Sequence, residues 1–138
     1  MNKKELEKAY SDTTYTLHVE QKVFRIYIGK ITEEFEVWLR ANDISSWTMM
    51  TAANPYSKPL SGKENKQLNA AFQQELEALQ LQIFYSEGIP QQEDWAVEKG
   101  FFIANISLQK AKKLAENVQQ NAIVFAERGE AARLIWLV

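Results

Sequence analysis

The sequence predicts an α+β fold, in which a mixed, mostly antiparallel sheet of about five to six strands carries three to four packed helices. Segments with alternating apolar residues, typical of strands, are interspersed with segments whose apolar residues recur every three or four positions, typical of helices. Single strands and strand pairs both separate the predicted helices, whereas a doubly wound parallel sheet would place a helix between successive strands. The 138 residues are 46% hydrophobic with only 5 Gly and 3 Pro, which predicts one globular domain over residues 1–138.

The first half of the chain contains two predicted helices and two predicted strands. Residues 3–10 have the spacing of a short helix, and residues 23–28 alternate in the manner of a strand. A helix over about 32–42 follows, because acidic residues favour its N-terminal end and its apolar residues share one stripe. Residues 46–53 are predicted as a mostly buried strand that leads into a loop rich in Asn, Pro and Ser.

The strongest helix signal is a capping box, in which Ser61 is the N-cap and Glu64 is the third helical residue. The helix that it opens is predicted over about 62–79. Its apolar stripe consists of Leu68, Ala71, Phe72, Leu76 and Leu79.

The second half of the chain is richer in predicted strands. Residues 81–85 and 101–106 are predicted as strands, and Ser107 is predicted to cap the next helix. Two apolar runs at 121–126 and 132–138 are separated by a charged, glycine-containing segment, which predicts a terminal hairpin. The order of the strands in the sheet stays open, because short strands of this kind permit several arrangements.

Composition excludes several kinds of site. The chain contains no Cys, which excludes disulfides, thiolate catalysis, iron–sulfur clusters and Cys-based zinc sites. His18 is the single histidine, so neither a His-based metal site nor a conventional catalytic triad is expected. The net charge of -2 disfavours nucleic acid or an anionic membrane surface as a partner, since affinity for phosphates comes from clustered cations.

The chain also lacks the sequence features of exported and nucleotide-binding proteins. Its start is too polar for a signal peptide, and no apolar stretch approaches the roughly 18 residues of a membrane span. We therefore expect a cytoplasmic protein. No GxxxxGK[ST], GxGxxG, GxSxG or HExxH motif is present, and nothing in the sequence names a cofactor or an oligomeric state.

The loop after the second predicted strand is the candidate binding loop. It contains Thr51, Asn54, Tyr56 and Ser57, and Asn65 lies in the first turn of the helix that follows. Ligands often bind between the carboxyl end of a strand and the N-terminus of a helix, where free N–H groups suit an anion. We expect a pocket over residues 54–61 for a small polar or anionic ligand or a short peptide segment. The same residue types are ordinary turn and cap formers, so a purely structural role stays open.

Four residues outside this loop are further candidates. Trp95 would form a wall of the pocket by stacking, and Gln120 would offer an amide to a ligand. A buried Glu98 would have a raised pKa and could act as a general acid or base, with the guanidinium of Arg25 as its partner. Solvent-exposed positions for Glu98 and Arg25 stay open as the alternative.

Short segments in a fixed order carry a family resemblance. They are residues 51–57, Glu64 with Asn65, residues 87–88, 95–98 and 120–123, preceded by an entry segment at 10–15 and by Arg25 with Ile26. Together they resemble the bacterial family of unknown function DUF3293. The resemblance implies a small stand-alone domain and supplies no activity, substrate or catalytic residue. The chain departs from the family pattern at Ala53, where an aromatic residue is expected, and at Asn105 and Gln119, where glycines are expected.

Three functions follow from these observations. A binding domain is preferred, because the candidate loop concentrates amide, hydroxyl and aromatic groups without a nucleophile–base pair. An enzyme that uses Glu98 and Arg25 is the first alternative. A protein–protein interaction or regulatory module is the second, and it would require a sizeable exposed apolar patch.

Overall fold

The structure, a computed structural model, describes residues 2–92 and 96–138. Within those residues it contains four α-helices, seven strands and one short 3-10 turn. In chain order these are α1 (Lys3–Ser11), β1 (Thr14–Val19), β2 (Lys22–Ile26), α2 (Glu33–Ala41), β3 (Ser46–Met50), the 3-10 turn (Pro55–Ser57), α3 (Gly62–Ala78), β4 (Gln82–Ile89), β5 (Glu98–Ala104), α4 (Leu108–Asn117), β6 (Ala122–Glu127) and β7 (Arg133–Trp136). The α+β class and the number of helices are confirmed, whereas the number of strands exceeds the prediction by at least one.

The described strands form one curled sheet, a half-barrel, in the order β2-β1-β4-β5-β3-β6-β7. Each neighbouring pair is antiparallel, so the sheet is not mixed over its described strands. β1 is a strand that was not predicted, although Tyr15, Leu17 and Val19 alternate with polar residues there. The predicted terminal hairpin is confirmed by the pairing of β6 with β7.

Each face of the sheet carries a hydrophobic core. The cluster under α2 includes Leu17, Phe24, Phe35, Leu39, Trp47 and Phe102. The cluster under α3 and α4 includes Phe72, Leu76, Ile103, Ala111, Leu114 and Phe125. Phe102 and Ile103 belong to opposite clusters, because successive side chains of a strand point to opposite faces. The centre of the sheet is therefore buried on both faces, which explains the continuous apolar run in β5.

The starts of α3 and α4 follow the predicted caps. The Ser61 hydroxyl accepts a hydrogen bond from the Glu64 backbone N–H at 3.1 Å, and the Glu64 carboxylate accepts one from the Ser61 N–H at 3.2 Å. These two bonds complete the capping box. Ser107 caps α4, since its hydroxyl accepts a hydrogen bond from the Lys110 N–H at 3.1 Å. Both helix starts were therefore predictable from local side-chain chemistry.

The buried stripes of the helices match their predicted spacing, except at two residues of α3. Phe35 and Leu39 of α2 are buried, as are Phe72 and Leu76 of α3. Ala71 and Leu79 were also predicted to belong to the α3 stripe, but Ala71 is exposed, and Leu79, which follows the last residue of α3, is 44% exposed. None of the helices in the described part of the chain is long and apolar enough to span a bilayer.

Candidate functional site

The loop between β3 and α3 has an unusual backbone. Asn54, Tyr56 and Ser57 have φ angles of +47°, +53° and +61°, which place all three in the left-handed region. For residues other than glycine, this conformation costs roughly 1–2 kcal/mol each. Such strain persists only where surrounding contacts hold it, and it concentrates at functional sites.

Two asparagines hold this loop against α3. The Asn54 backbone N–H donates to Asn65 Oδ1 at 2.8 Å, and Asn65 Nδ2 donates to Asn54 Oδ1 at 2.8 Å. Asn54 Oδ1 also accepts a hydrogen bond from the Leu60 N–H at 2.9 Å. The predicted residues Asn54 and Asn65 therefore lie together, and most of their hydrogen-bonding capacity fixes the loop.

A second set of hydrogen bonds secures the first residues of the loop. Thr51 Oγ1 donates to the Lys99 carbonyl at 2.7 Å, and Gln120 Nε2 donates to the Ala53 carbonyl at 3.1 Å. Asn69 Oδ1 accepts the Ala52 N–H at 2.9 Å. Asn69 was not predicted, although its position four residues after Asn65 puts both amides on one face of α3.

Glu98 is a charged residue whose side chain contacts this loop. Asn54 Nδ2 donates to Glu98 Oε2 at 3.1 Å, and the Glu98 side chain is partly buried at the start of β5. Burial raises the pKa of the Glu98 carboxyl above its ordinary value, while the hydrogen bond from Asn54 acts in the opposite direction. Over the described residues, the side chain that donates to Glu98 is therefore a neutral amide.

A cavity of about 50 Å³ lies beside Glu98. Its lining includes the predicted residues Thr51, Glu98 and Gln120, and also Tyr10, Tyr15, Ser86, Gly88 and Gly100. Sheet register brings three of these together, since Tyr15 pairs with Gly88 and Gly88 pairs with Glu98. A second, larger concavity of about 530 Å³ is lined by exposed side chains of α1. Its described lining therefore has no partly buried carboxyl like that of Glu98.

Tyr10 connects the cavity to the strained loop. Its hydroxyl lies 3.2 Å from Ser57 Oγ, which also accepts a hydrogen bond from Asn121 Nδ2 at 2.8 Å. The Tyr10 ring meets the Trp136 ring edge-on at 5.9 Å. Burial raises the pKa of the Tyr10 hydroxyl, the hydrogen bond with Ser57 lowers it, and the nearby Glu98 carboxylate raises it.

The family model described as a protein of unknown function, DUF3293, matches residues 50–123, which is more than half of the chain. The chain belongs to the DUF3293 family. The matched range begins at the end of β3 and contains the strained loop, Glu98 and Gln120. No curated protein and no solved structure matches the chain.

Two positions at which glycine was expected have a left-handed backbone. Asn105 and Gln119 stand where glycines were expected, and their φ angles are +55° and +58°. Both positions therefore adopt the conformation that glycine accommodates without strain. The chain therefore forms both turns with a side chain present.

Arg25 does not reach Glu98 in this DUF3293 domain. Arg25 pairs with Thr16 on β1, and both β1 and β4 lie between its strand and β5. The cross-strand row that contains Glu98 contains Ile26 instead of Arg25, so the two side chains point to opposite faces. The exposed position of Arg25 is confirmed, and its predicted pairing with Glu98 is wrong.

The remaining predicted residues do not line the cavity beside Glu98 in the described part of the chain. The Tyr56 side chain is 46% exposed, and its backbone N–H donates to the Gln119 carbonyl at 2.6 Å. Trp95 lies outside the described residues. His18 lies in β1 with its Nε2 2.8 Å from Thr16 Oγ1, away from the cavity beside Glu98. Within the described residues, no three His, Asp or Glu side chains converge in the manner of a metal site.

Several residues that line the cavity were not predicted as site residues. Tyr10, Tyr15 and Gly88 lie in segments that carry the DUF3293 resemblance, and that was the available signal. Ser86 and Gly100 had no comparable signal, because only the register of β4 and β5 places them next to Glu98.

Proposed function

We propose that this chain is a small-ligand-binding domain whose site is the cavity at Glu98. The observation that carries the proposal is a partly buried carboxyl that lines a cavity and receives a hydrogen bond from a neutral amide. Burying a carboxylate without a cationic partner destabilises a fold, so such a group is a candidate for function.

The surroundings of Glu98 support this proposal. The contact between Asn54 and Glu98 depends on a loop that three left-handed residues strain and that Asn65 holds in place. A binding group needs supporting contacts of this kind to keep its geometry. The predicted loop thus positions the site, while the ligand itself would contact Glu98 and the cavity.

A fragment screen by thermal shift tests the proposal. A ligand at about 100 times its Kd adds roughly 2.7 kcal/mol of stability, which gives a visible rise in Tm. We expect hits whose effect is lost in Glu98→Gln and kept in Glu75→Gln, since Glu75 is exposed on α3. Hits that bind both variants equally would place the site elsewhere, and a screen without hits would contradict the proposal.

The pH dependence of stability gives an independent check. Because the pKa of Glu98 is raised in the folded state, folding favours the protonated carboxyl. The stability that this proton contributes is present at low pH and is lost as the pH rises through the folded-state pKa. We therefore expect Glu98→Gln to raise Tm by a few degrees at pH 7, with the difference shrinking toward pH 4. A variant less stable than wild type at pH 7 would show that the ionised carboxylate stabilises the fold.

The raised pKa also favours a second function, in which Glu98 acts as a general acid. In this second function Asn54, and not the predicted Arg25, would orient the Glu98 carboxyl. NMR titration of the Glu98 carboxyl carbon would measure its pKa directly. A midpoint at the ordinary carboxyl value would argue against acid catalysis while leaving ligand binding open.

A further inference from the structure

We infer that the cavity at Glu98 takes a primary ammonium group. The inference rests on the proposed binding function and specifies the chemistry of its ligand. It depends on three properties of the cavity: unused hydrogen-bond acceptors, the charge of the lining and the available volume.

The polar groups of the cavity have acceptor capacity to spare. Ser86 is only 3% exposed, lines the cavity, and makes no side-chain hydrogen bond to another described residue. Gln120 is 7% exposed, and its Nε2 donates to the carbonyls of Ala53 and Val118 at 3.1 and 3.3 Å, which leaves Oε1 to accept. Asn54 donates to Glu98 Oε2, and Oε1 accepts no hydrogen bond from another residue in the described part of the chain. A ligand group that donates several hydrogen bonds fits this lining.

The charge of the lining favours a cation. Its described residues include Glu98 and contain neither Lys nor Arg. An anion would face the Glu98 carboxylate at short range, whereas a cation would pair with it and offset its desolvation. Tyr10 and Tyr15 also line the cavity, and aromatic side chains attract cations.

The volume of the cavity limits the size of the cation that can enter. About 50 Å³ accommodates a group of a few heavy atoms, far less than the roughly 300–1,000 Å³ of pockets that enclose a whole drug-sized ligand. An ammonium with its adjoining methylene is smaller than a guanidinium, and it donates three hydrogen bonds, which a quaternary ammonium cannot. The cavity therefore fits the terminal amino group of a ligand whose remainder lies outside.

An NMR titration of the full chain labelled with ¹⁵N tests the inference. The probes are methylammonium, guanidinium, tetramethylammonium, acetate and glycerol, each compared with sodium chloride at matched ionic strength. We expect saturable shifts with methylammonium at the amides of residues 86–88 and 98–100. The Kd should be on the order of 10 mM, the tightest that two heavy atoms normally achieve.

Three variants locate the binding site. Glu98→Gln should weaken methylammonium binding at least 10-fold, and Ser86→Ala should weaken it several-fold. Glu75→Gln removes the same charge from exposed α3 and should bind like wild type. Because the amide spectrum of each variant reports its fold, loss of binding is separable from unfolding. Equal binding by Glu98→Gln and wild type would overturn the inference.

The probe panel separates failure of this inference from failure of the proposed function. Binding of acetate or glycerol at the same amides, without methylammonium, would leave a ligand site there and overturn its ammonium chemistry. Equal shifts with sodium chloride would also overturn it. No saturable shift with any probe would contradict both proposals.

Comparison of butylammonium with Nα-acetyl-lysine amide then identifies the source of the ammonium group. Tighter binding of the lysine derivative would indicate a lysine side chain of a peptide, and tighter binding of the alkylamine would indicate a free amine. Either result supports the inference. If neither compound binds and methylammonium also fails to bind, the inference is contradicted.

Discussion

At the scale of single residues, two positions with a left-handed backbone differ in what their side chains contribute. The side chain compensates for the backbone strain at one position and does not at the other. Gln119 has a φ of +58° and an exposed side chain, and its known contact to the site is through its backbone carbonyl. Asn105 has a φ of +55°, but its Oδ1 accepts the Ser45 N–H at 2.9 Å and its Nδ2 donates to the Asp43 carbonyl at 3.2 Å. Glycine would therefore relieve strain at both positions and remove useful contacts at only one.

We predict that Gln119→Gly raises the free energy of unfolding by about 0.5–1 kcal/mol, because relief of strain exceeds the added entropy of the unfolded chain. Asn105→Gly should lower it, since it loses three side-chain hydrogen bonds, two from Ser45 and one to Asp43. Urea denaturation with an unchanged m-value would measure both effects. Equal changes in the two variants would show that the Asn105 side chain contributes nothing.

Residue types near the site were predictable, but their pairing was not. Asn54 and Asn65 were identified because polar residues cluster between a strand and a helix, and Gln120 was identified as an amide that could bind a ligand. The contact from Asn54 to Glu98 joins residues 44 positions apart, and no local pattern encodes such a distance. Arg25 was assigned to Glu98 because a guanidinium suits bidentate contact with a carboxylate, and strand order made that assignment wrong.

At the scale of elements, the site depends on a close approach between the end of β3 and the start of β5. A Cβ atom added to Gly100 would lie 2.6 Å from the Met50 carbonyl oxygen and 3.1 Å from Thr51 Cβ. Glycine therefore permits the backbone contact that brings the loop after β3 to Glu98. Gly88 on the adjacent strand has more room, since its added Cβ would lie 3.6 Å from Thr13 Cγ2.

We predict that Gly100→Ala destabilises the domain by about 1–3 kcal/mol, because backbone atoms must shift to remove the overlap. Gly88→Ala is the matched control in the same cavity lining, and its effect should stay within about 0.5 kcal/mol. Chemical denaturation of both variants checks this prediction. A small effect at Gly100 would mean that β3 and β5 separate easily at this end.

Helices were predicted more accurately than strands for a physical reason. Caps such as Ser61 and Ser107 act on backbone groups within three residues, so the sequence shows them directly. Strand β1 carries an alternating pattern, but its polar residues Thr16 and His18 weaken the apolar signal, and the segment was not predicted as an element. Its burial comes from β2 and β4 on either side, and β4 is distant in sequence.

At the scale of the whole molecule, strand order combines local and distant pairings. β1 with β2, β4 with β5, and β6 with β7 are each consecutive and pair as neighbours. β3 instead inserts between β5 and β6, where Trp47 pairs with Ala104 and Ala126. Consecutive strands can be inferred from connecting segments, whereas insertion of a solitary strand depends on burial that only the assembled sheet provides. This insertion also places the loop after β3 at the cavity.

Helix α1 is held to the rest of the molecule by few contacts. All nine of its residues are at least partly exposed, and an isolated helix of this length is marginal in water. Its attachment includes the Tyr10 hydroxyl at Ser57, the Tyr15 hydroxyl that donates to the Tyr10 carbonyl at 3.3 Å, and the edge contact with Trp136. Because Tyr10 also lines the cavity, opening of α1 would widen the cavity without disturbing either core.

We predict that the amides of α1 exchange hydrogen at least 100-fold faster than those of β5, because local opening of α1 needs far less free energy than global unfolding. Tyr10→Phe should accelerate α1 exchange several-fold further by removing its hydroxyl contact with Ser57, while exchange in β5 stays unchanged. Hydrogen exchange followed by NMR measures both. Saturating methylammonium should slow α1 exchange if the cavity closes over its ligand. Equal protection of α1 and β5 would instead place α1 in the cooperative unit, and ligand entry would then require another route.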